Sequence, residues 1–484
     1  MTVNGEGIGK AEDGYPLFVS GAVTGDTVEA VVTKTNKTYG FAKIRKITEP
    51  SQHRAKPACR YFEKCGGCSV MHMDYELQLE TKKNLVVNNL AKIGQYPEGS
   101  YTFEGIIGAE SPFNYRNKAQ FPVGIEKGKA VCGFYQKSSH TIVPCENCMI
   151  QDESINTAVS IVMEFIRKHK LRIYNEKNHT GIIRHIYVRH GGGEENPLMV
   201  VIVANSAAPL PHSHELAEML LEKVNLKSLV QNINTAKSNT VLGYENITLW
   251  GEDAIGASLG DIEFVISPNS FFQVNYAQME KLYSKAKEYA QLDGSQTVFD
   301  LYCGVGSISL FMADKARKVV GVEIVDAAIE NAKINAKTNN IQNAEFHCGD
   351  CPKVVDKLIK DGYSPDVVVV DPPRKGCDEE MLSLINTMHP EKLVYVSCNS
   401  STLARDVKIL KDYGYALEKC CAVDMFPHSM HVESVAQLTL STTKFAPRQV
   451  KFNKLSEVYS VSEVAPFGAA ANLTSLCAKR KTSL

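Results

Sequence analysis

The sequence predicts a multidomain chain: an OB-like β-barrel at the N-terminus, a middle α+β domain with a four-cysteine metal loop, and a C-terminal α/β domain of the Rossmann-like type. Three observations lead there. Over 286–444, apolar β-branched runs alternate with helical patterns, and one strand–turn–helix unit carries Gly304 and Gly306. Three cysteines crowd into CRYFEKCGGC, and short strand-like runs separated by turn residues fill the first part of the chain. At 484 residues, 44% hydrophobic and 22% charged, the chain is globular. That length allows about two to four ordinary cores. No run of about eighteen apolar residues occurs and MTVNGEGIGK holds no apolar signal, which points to the cytoplasm, with no membrane partner. Fourteen cysteines then suit metal binding or catalysis better than a disulfide framework. A net charge of −1 neither advertises nor excludes nucleic acid, because an electrostatic footprint is local.

Residues 1–50 read as a small all-β module, with FVSGAV, TVEAVVTKT and YGFAKIRKI as strands of an expected five. Lys34, Lys37, Tyr39, Phe41, Lys43, Arg45 and Lys46 make the third run basic and aromatic, as RNA-binding barrels are; a merely solvated face is the alternative. The middle domain, 51–285, opens on Cys59, Cys65 and Cys68, where Gly66 and Gly67 let the backbone wrap closely. A fourth thiolate is needed, and Cys145 and Cys148 compete for that place. Four thiolates suit an iron–sulfur cluster or structural zinc. A helix over 71–92 stopped by Gly94 follows, then antiparallel strands joined at Lys127-Gly128, and further helices and strands to SFFQVN. Arg116, Lys118, Arg184 and Arg189 are candidates for phosphate contacts or for plain solvation.

The third domain, 286–444, begins with TVFDLYCGVGSISLFMA. Val298–Leu301 reads as a strand, Gly304 and Gly306 as a turn that lets a cofactor approach the backbone, and SISLFMA as a helix. VVGVEI ends about twenty residues later in Glu323, where a carboxylate can accept ribose hydroxyls. The pattern acid-x-x-x-Gly-x-Gly lacks the third glycine of a pyrophosphate fingerprint and favours S-adenosylmethionine over a dinucleotide. Asp350 is placed to meet the adenine amino group, an exposed loop aspartate being the alternative. DVVVVDPPRKG is an apolar strand ending in Asp371 and two prolines, a rigid lip beside the methyl-donor site. Amino methyltransferases carry a similar Asp-Pro-Pro followed by an aromatic residue; here Arg374 stands in that place.

LVYVSCNSSTLARD then delivers Cys398 to a strand-to-helix turn at the carboxyl edge of the sheet. There a thiol can be a nucleophile or a buried structural residue. The first reading suits a ring carbon that must be activated. Carbon 5 of uracil becomes nucleophilic once a thiolate has added at carbon 6, and a base must later remove the carbon 5 proton. Glu433, between a polar cluster and an apolar strand, is placed for that task.

DLYCGVG, VDPPRKG, VSCNSSTLARD and HVESV, with CRYFEKCGGC and SFFQVN upstream, resemble the RNA uracil-5 methyltransferase family. More narrowly, the chain resembles the 23S ribosomal RNA (uracil-5) methyltransferases with an N-terminal TRAM domain and a 4Fe-4S cluster, over residues 3–442. The resemblance implies a class I methyltransferase domain with Cys398 as nucleophile and Glu433 as base. It places Gln273, Tyr302, Glu323 and Asp371 at S-adenosylmethionine and makes Cys59, Cys65, Cys68 and Cys148 the cluster ligands. The implied partner is RNA, 23S ribosomal RNA first and transfer RNA as the alternative, and the chain is expected to act as a monomer. An amino methyltransferase and a non-enzymatic RNA-binding assembly factor are the competing functions. The stretch 445–484 has no periodicity and reads as a disordered tail.

Overall fold

The structure is a computed structural model and describes residues 1–193 and 195–441. The expected tail, 445–484, lies outside the described residues. In chain order, β1 (Gly7–Lys10), β2 (Pro16–Ser20), β3 (Thr27–Thr35) and β4 (Gly40–Glu49) are followed by α1 (Tyr75–Lys92) and β5 (Thr102–Ile107). The middle elements are β6 (Lys118–Glu126), β7 (Lys129–Tyr135), β8 (Ile142–Pro144), α2 (Glu153–Lys168), β9 (Ile183–His190), β10 (Leu198–Ala204), α3 (Ser213–Leu221), β11 (Leu226–Ile233) and β12 (Glu245–Gly251). A hairpin, β13 (Ile255–Leu259) and β14 (Ile262–Ile266), leads to α4 (Tyr276–Ala290). Then β15 (Thr297–Leu301), α5 (Ser307–Met312), β16 (Lys318–Glu323), α6 (Asp326–Thr338), β17 (Ala344–Cys348), α7 (Cys351–Lys360) and β18 (Val367–Val370) alternate. The described chain finishes with α8 (Glu379–Met388), β19 (Lys392–Ser397), α9 (Ser400–Asp412), β20 (Tyr415–Val423) and β21 (Glu433–Leu440).

The N-terminal strands form one four-stranded sheet in the order β1-β2-β4-β3, where five strands were expected. The strand expected over FVSGAV stops at Ser20, because Gly21 turns at φ 79 and Val23 packs away from the sheet against Val70, Met73 and Met430. The middle sheet runs β12-β11-β10-β9-β6-β7-β8, with α2 and α3 burying Phe165, Leu216 and Leu220 in its core. Lys127 and Gly128 both have positive φ, 50 and 78, as a tight β6–β7 hairpin requires.

The C-terminal sheet is eight-stranded, in the order β17-β16-β15-β18-β19-β21-β20-β5. Its central strands read as unbroken apolar runs because both faces are covered: Val367–Val370 alternate between a core containing Leu282 and Tyr283 and one containing Leu382 and Leu403. Two boundaries differ from the sequence expectation. Strand β5, expected in the middle domain, pairs in parallel with β20, and α1 packs along α9. The boundary at 285 falls inside α4, whose Met279, Leu282 and Ala286 join the same core as Val394 and Val435. Periodicity identifies a helix or strand but not the sheet it joins. Among the described residues, no helix is long and apolar enough to cross a membrane.

Candidate active site

Strand order lines up the functional side chains along one carboxyl edge. The order reverses between β15 and β18, and at such a switch point the flanking crossovers diverge and leave a crevice. Across it, Asp350 follows β17, Glu323 ends β16, Tyr302 follows β15, Asp371 follows β18, Cys398 follows β19 and Glu433 begins β21. With neighbouring strands about 4.8 Å apart, Glu323 and Cys398, three strands apart, are separated by roughly 14 Å, the reach of a nucleoside with its methyl donor. One cavity of about 690 Å³ takes in all of these and Gln273.

At the cofactor end, Gly304 has φ 56 and open space where a Cβ would stand, so a ligand can lie on its backbone. A Cβ on Gly306, φ 79, would meet the Phe346 ring at 3.0 Å. Tyr302, a bulky residue at φ 68, is held there by its N–H donating to Val322 O at 2.9 Å. The Glu323 carboxylate accepts from Gly304 N at 3.2 Å and Val325 N at 3.0 Å, which points it into the crevice. Asp350 caps α7 with its side chain exposed and free of a capping bond. Asp300 was not singled out in the sequence, although it is the acid of acid-x-x-x-Gly-x-Gly. It is buried beneath the turn, accepts from Ser309 Oγ at 2.5 Å, and is pushed up to about 7 by burial.

At the other end, Ser397 and Ser434 are the last opposed residues of the antiparallel β19–β21 pair. The next residue outward on each side is a candidate catalytic group: Cys398 just beyond β19 and Glu433 at the start of β21. Glu433 is 3% exposed, and burial, then repulsion from Asp371, raises it to about 8, with Arg374 opposing. Burial, then Glu433 and Asp371, raise the Cys398 thiol to about 11, again with Arg374 opposing. Burial, then Asp300, shifts Asp371 upward too. The site therefore resists several negative charges at once. Phe426 and His431 also line the cavity; His431 belongs to the polar cluster before Glu433, and the sequence reading gave neither residue a role.

The four cysteines of the expected metal set are brought together. Burial first, then repulsion from the neighbouring cysteines of the set, holds Cys65 up and pushes Cys68 up to about 12, so Cys59, Cys65, Cys68 and Cys148 lie near enough to interact as thiolates. A bound cation relieves such repulsion, so the donor set fits a metal group. Cys148 moves the other way, downward, because Cys145 donates to it and the backbone at Ile150 and Gln151 supports the thiolate. Gly66 is required: a Cβ there would meet Tyr135 O at 2.8 Å.

Two of the four phosphate candidates are corrected. Arg184 is buried and donates to Asn234 O at 2.8 Å and Ala236 O at 2.7 Å, and Arg189 is buried with a bond to Ser270 O at 2.9 Å. Both hold loops of the middle domain. On the N-terminal sheet, Lys34, Lys37, Lys43, Arg45 and Lys46 are all exposed, while Phe41 and Tyr39 pack on Phe18.

The profile of the tRNA (Uracil-5-)-methyltransferase family matches residues 253–441, and that of the TRAM domain residues 2–44. An uncharacterized RNA methyltransferase of Clostridium tetani is 46% identical over 440 residues, covering 91% of this chain and 94% of its own. One from Listeria innocua is 46% identical over 442 residues, covering 91% and 96%. Among solved structures, the Pyrococcus abyssi tRNA (uracil-54, C5)-methyltransferase in complex with S-adenosyl-L-homocysteine superposes with a TM-score of 0.71 at 28% identity, over 89% of this chain and 99% of that one. Sequence profile, near full-length relatives and a cavity at the switch point of the sheet agree: the chain belongs to the RNA uracil-5 methyltransferase family and is an S-adenosylmethionine-dependent RNA methyltransferase.

Proposed function

We propose that the enzyme methylates carbon 5 of a uridine in 23S ribosomal RNA, with Cys398 as nucleophile and Glu433 as the base that removes the carbon 5 proton. Gln273, Tyr302, Glu323, Asp350 and Asp371 surround the cofactor in this reading. The observation that carries it is a thiol and a protonatable carboxyl at adjacent strand ends, opening on the cavity that holds the glycine turn.

The Cys398 thiolate adds at carbon 6 and the electron pair of the 5,6 double bond moves toward oxygen 4 as an enolate. S-adenosylmethionine supplies the sulfonium methyl that carbon 5 takes. The Glu433 carboxylate then accepts the carbon 5 proton, the 5,6 double bond re-forms and the Cys398 thiolate leaves. Charge occupancy supports this order. A protonated Glu433 spares the thiolate its repulsion during attack; once that charge has passed into the uracil ring, Glu433 releases its proton to water, with Arg374 favouring the carboxylate, and can then accept the carbon 5 proton.

Cys59, Cys65, Cys68 and Cys148 would hold a 4Fe-4S cluster that ties together two distant segments of the chain.

Transfer RNA is the second reading, favoured by the near full-length superposition on the Pyrococcus abyssi tRNA (uracil-54, C5)-methyltransferase. Mass-spectrometric mapping of 5-methyluridine in both RNAs from a deletion strain separates them. Loss at a 23S uridine, restored by the wild type and not by Cys398→Ala, is expected. Loss only in transfer RNA would move the assignment there, and no loss in either would overturn it.

A further inference from the structure

Helix α1 carries polar side chains on the face it buries. Gln78 is 1% exposed and Lys82 is 0% exposed, although an 18-residue helix with a core to join would ordinarily present apolar residues there. Tyr75, Gln78, Lys82 and Asn89 are spaced 3, 4 and 7 residues apart, so they fall on one stripe. Each of the four bonds to one of the two segments that carry the reactive groups.

Lys82, Gln78 and Tyr75 hold the loop between β20 and β21, which ends in Glu433. Lys82 Nζ donates to Asp424 Oδ1 at 2.5 Å and to Phe426 O at 3.1 Å, and both side chains of this ion pair are wholly buried. Tyr75 OH donates to the other Asp424 oxygen at 2.8 Å. Gln78 Oε1 accepts from His428 N at 2.9 Å, fixing a residue with φ 65. Further along α1, Asn89 Nδ2 donates to Ser400 Oγ at 2.8 Å and Ser401 Oγ at 3.1 Å, in the first turn of α9 just beyond Cys398. The segment before α1 joins the same loop: Ser69 N and Val70 N, directly after Cys68, both donate to His428 O, at 2.9 and 3.1 Å.

We propose that α1 is a splint for the reaction: its stripe of Tyr75, Gln78, Lys82 and Asn89 registers the loop of Glu433 against the turn of Cys398, so that one uracil ring meets both. This rests on the roles proposed above for Cys398 and Glu433. A buried ion pair contributes little net stability, since desolvation offsets the attraction, but it fixes geometry because neither charge can slide without losing its partner. The four side chains are positioning residues and touch no substrate. Attack needs the thiol alone, whereas release needs the carboxylate within hydrogen-bond reach of a proton on a ring already tethered to Cys398. Loosening the splint on the Glu433 side should therefore slow release more than attack.

The test uses the full-length, metal-loaded protein and unmodified RNA. Lys82→Met with Asp424→Leu removes both charges together and leaves no unpaired ion; Tyr75→Phe and Gln78→Met are milder changes on the same loop. Each variant is assayed for S-adenosylhomocysteine affinity, melting temperature, turnover, and the fraction of enzyme in a denaturant-resistant methylated RNA adduct. The expected result is cofactor affinity within about threefold of wild type, turnover down roughly ten- to a hundredfold for the double variant, and an adduct fraction raised at least fivefold in all three. Turnover that falls with no gain in adduct, or that stays normal, would overturn the splint. Should the double variant fail to fold, the two milder ones decide by the same adduct fraction. A parallel arm with 5-fluorouracil-substituted RNA and wild-type enzyme isolates the underlying reading: no trapped complex there means Cys398 is not the nucleophile, whatever the variants do.

Discussion

Asn399 Nδ2 donates to the carbonyl oxygen of Arg374 at 3.1 Å, and Thr402 Oγ1 reaches the same oxygen at 3.4 Å. The turn beyond Cys398 and the proline lip beyond Asp371 are thus one unit, although 25 residues separate Arg374 from Asn399. Asn399 also caps α9, accepting from Ser401 N at 3.1 Å. The linkage keeps the Arg374 guanidinium where it favours the charged forms of both Cys398 and Glu433.

Replacing Arg374 by Met should therefore move the activity profile to higher pH. Both groups must lose a proton to act, so activity rises with pH, and removing the guanidinium raises both thresholds. A loss of about tenfold at pH 7 is the expected outcome of steady-state methylation assays, since one pKa unit is a tenfold change in the ionised fraction; the part carried by Glu433 shrinks as pH rises past 8, while the part carried by Cys398 persists to pH 9.

Glu433→Gln separates chemistry from stability. Turnover should fall about a hundred- to ten-thousandfold, with a methylated RNA adduct accumulating. The free protein should become more stable at alkaline pH. The folded-state value of Glu433, about 8, lies above its ordinary 4.5, so folding takes up a proton across that window. Its contribution is fully present below 4.5 and is lost as pH rises through 8. Denaturant titrations at pH 9 should show the variant about 2–4 kcal/mol more stable than wild type, and near parity at pH 5.

Glu323→Ala should weaken S-adenosylhomocysteine binding about ten- to a hundredfold by calorimetry, because hydrogen bonds to a charged group contribute about 1.5–3 kcal/mol. Part of that loss comes from freeing the amides of Gly304 and Val325, which the carboxylate now holds.

Anaerobically purified protein should be brown, and Cys148→Ser should lose the colour while Cys145→Ser keeps it. The hydrogen bond from Cys145 favours the charged form of Cys148 and disfavours that of Cys145. Stoichiometric zinc in a colourless, active preparation would refute the cluster.

The sequence by itself determined what depends on local pattern. Apolar runs such as VVVV, the Gly304–Gly306 turn and the Cys59–Cys68 loop carry their own chemistry, so the α/β domain, its cofactor edge and its candidate thiol and carboxylate could all be read from neighbours in the chain. Only the tertiary structure decided which sheet receives each element and which charged residues are buried. Strand β5 and helix α1 join the C-terminal sheet, and Arg184, Arg189 and Lys82, which look like surface cations in the sequence, are enclosed. The physical reason is that a polar side chain is stable inside only when a partner meets it there, and those partners, Asn234, Ser270 and Asp424, lie 50, 81 and 342 residues away. No local pattern records a contact of that span.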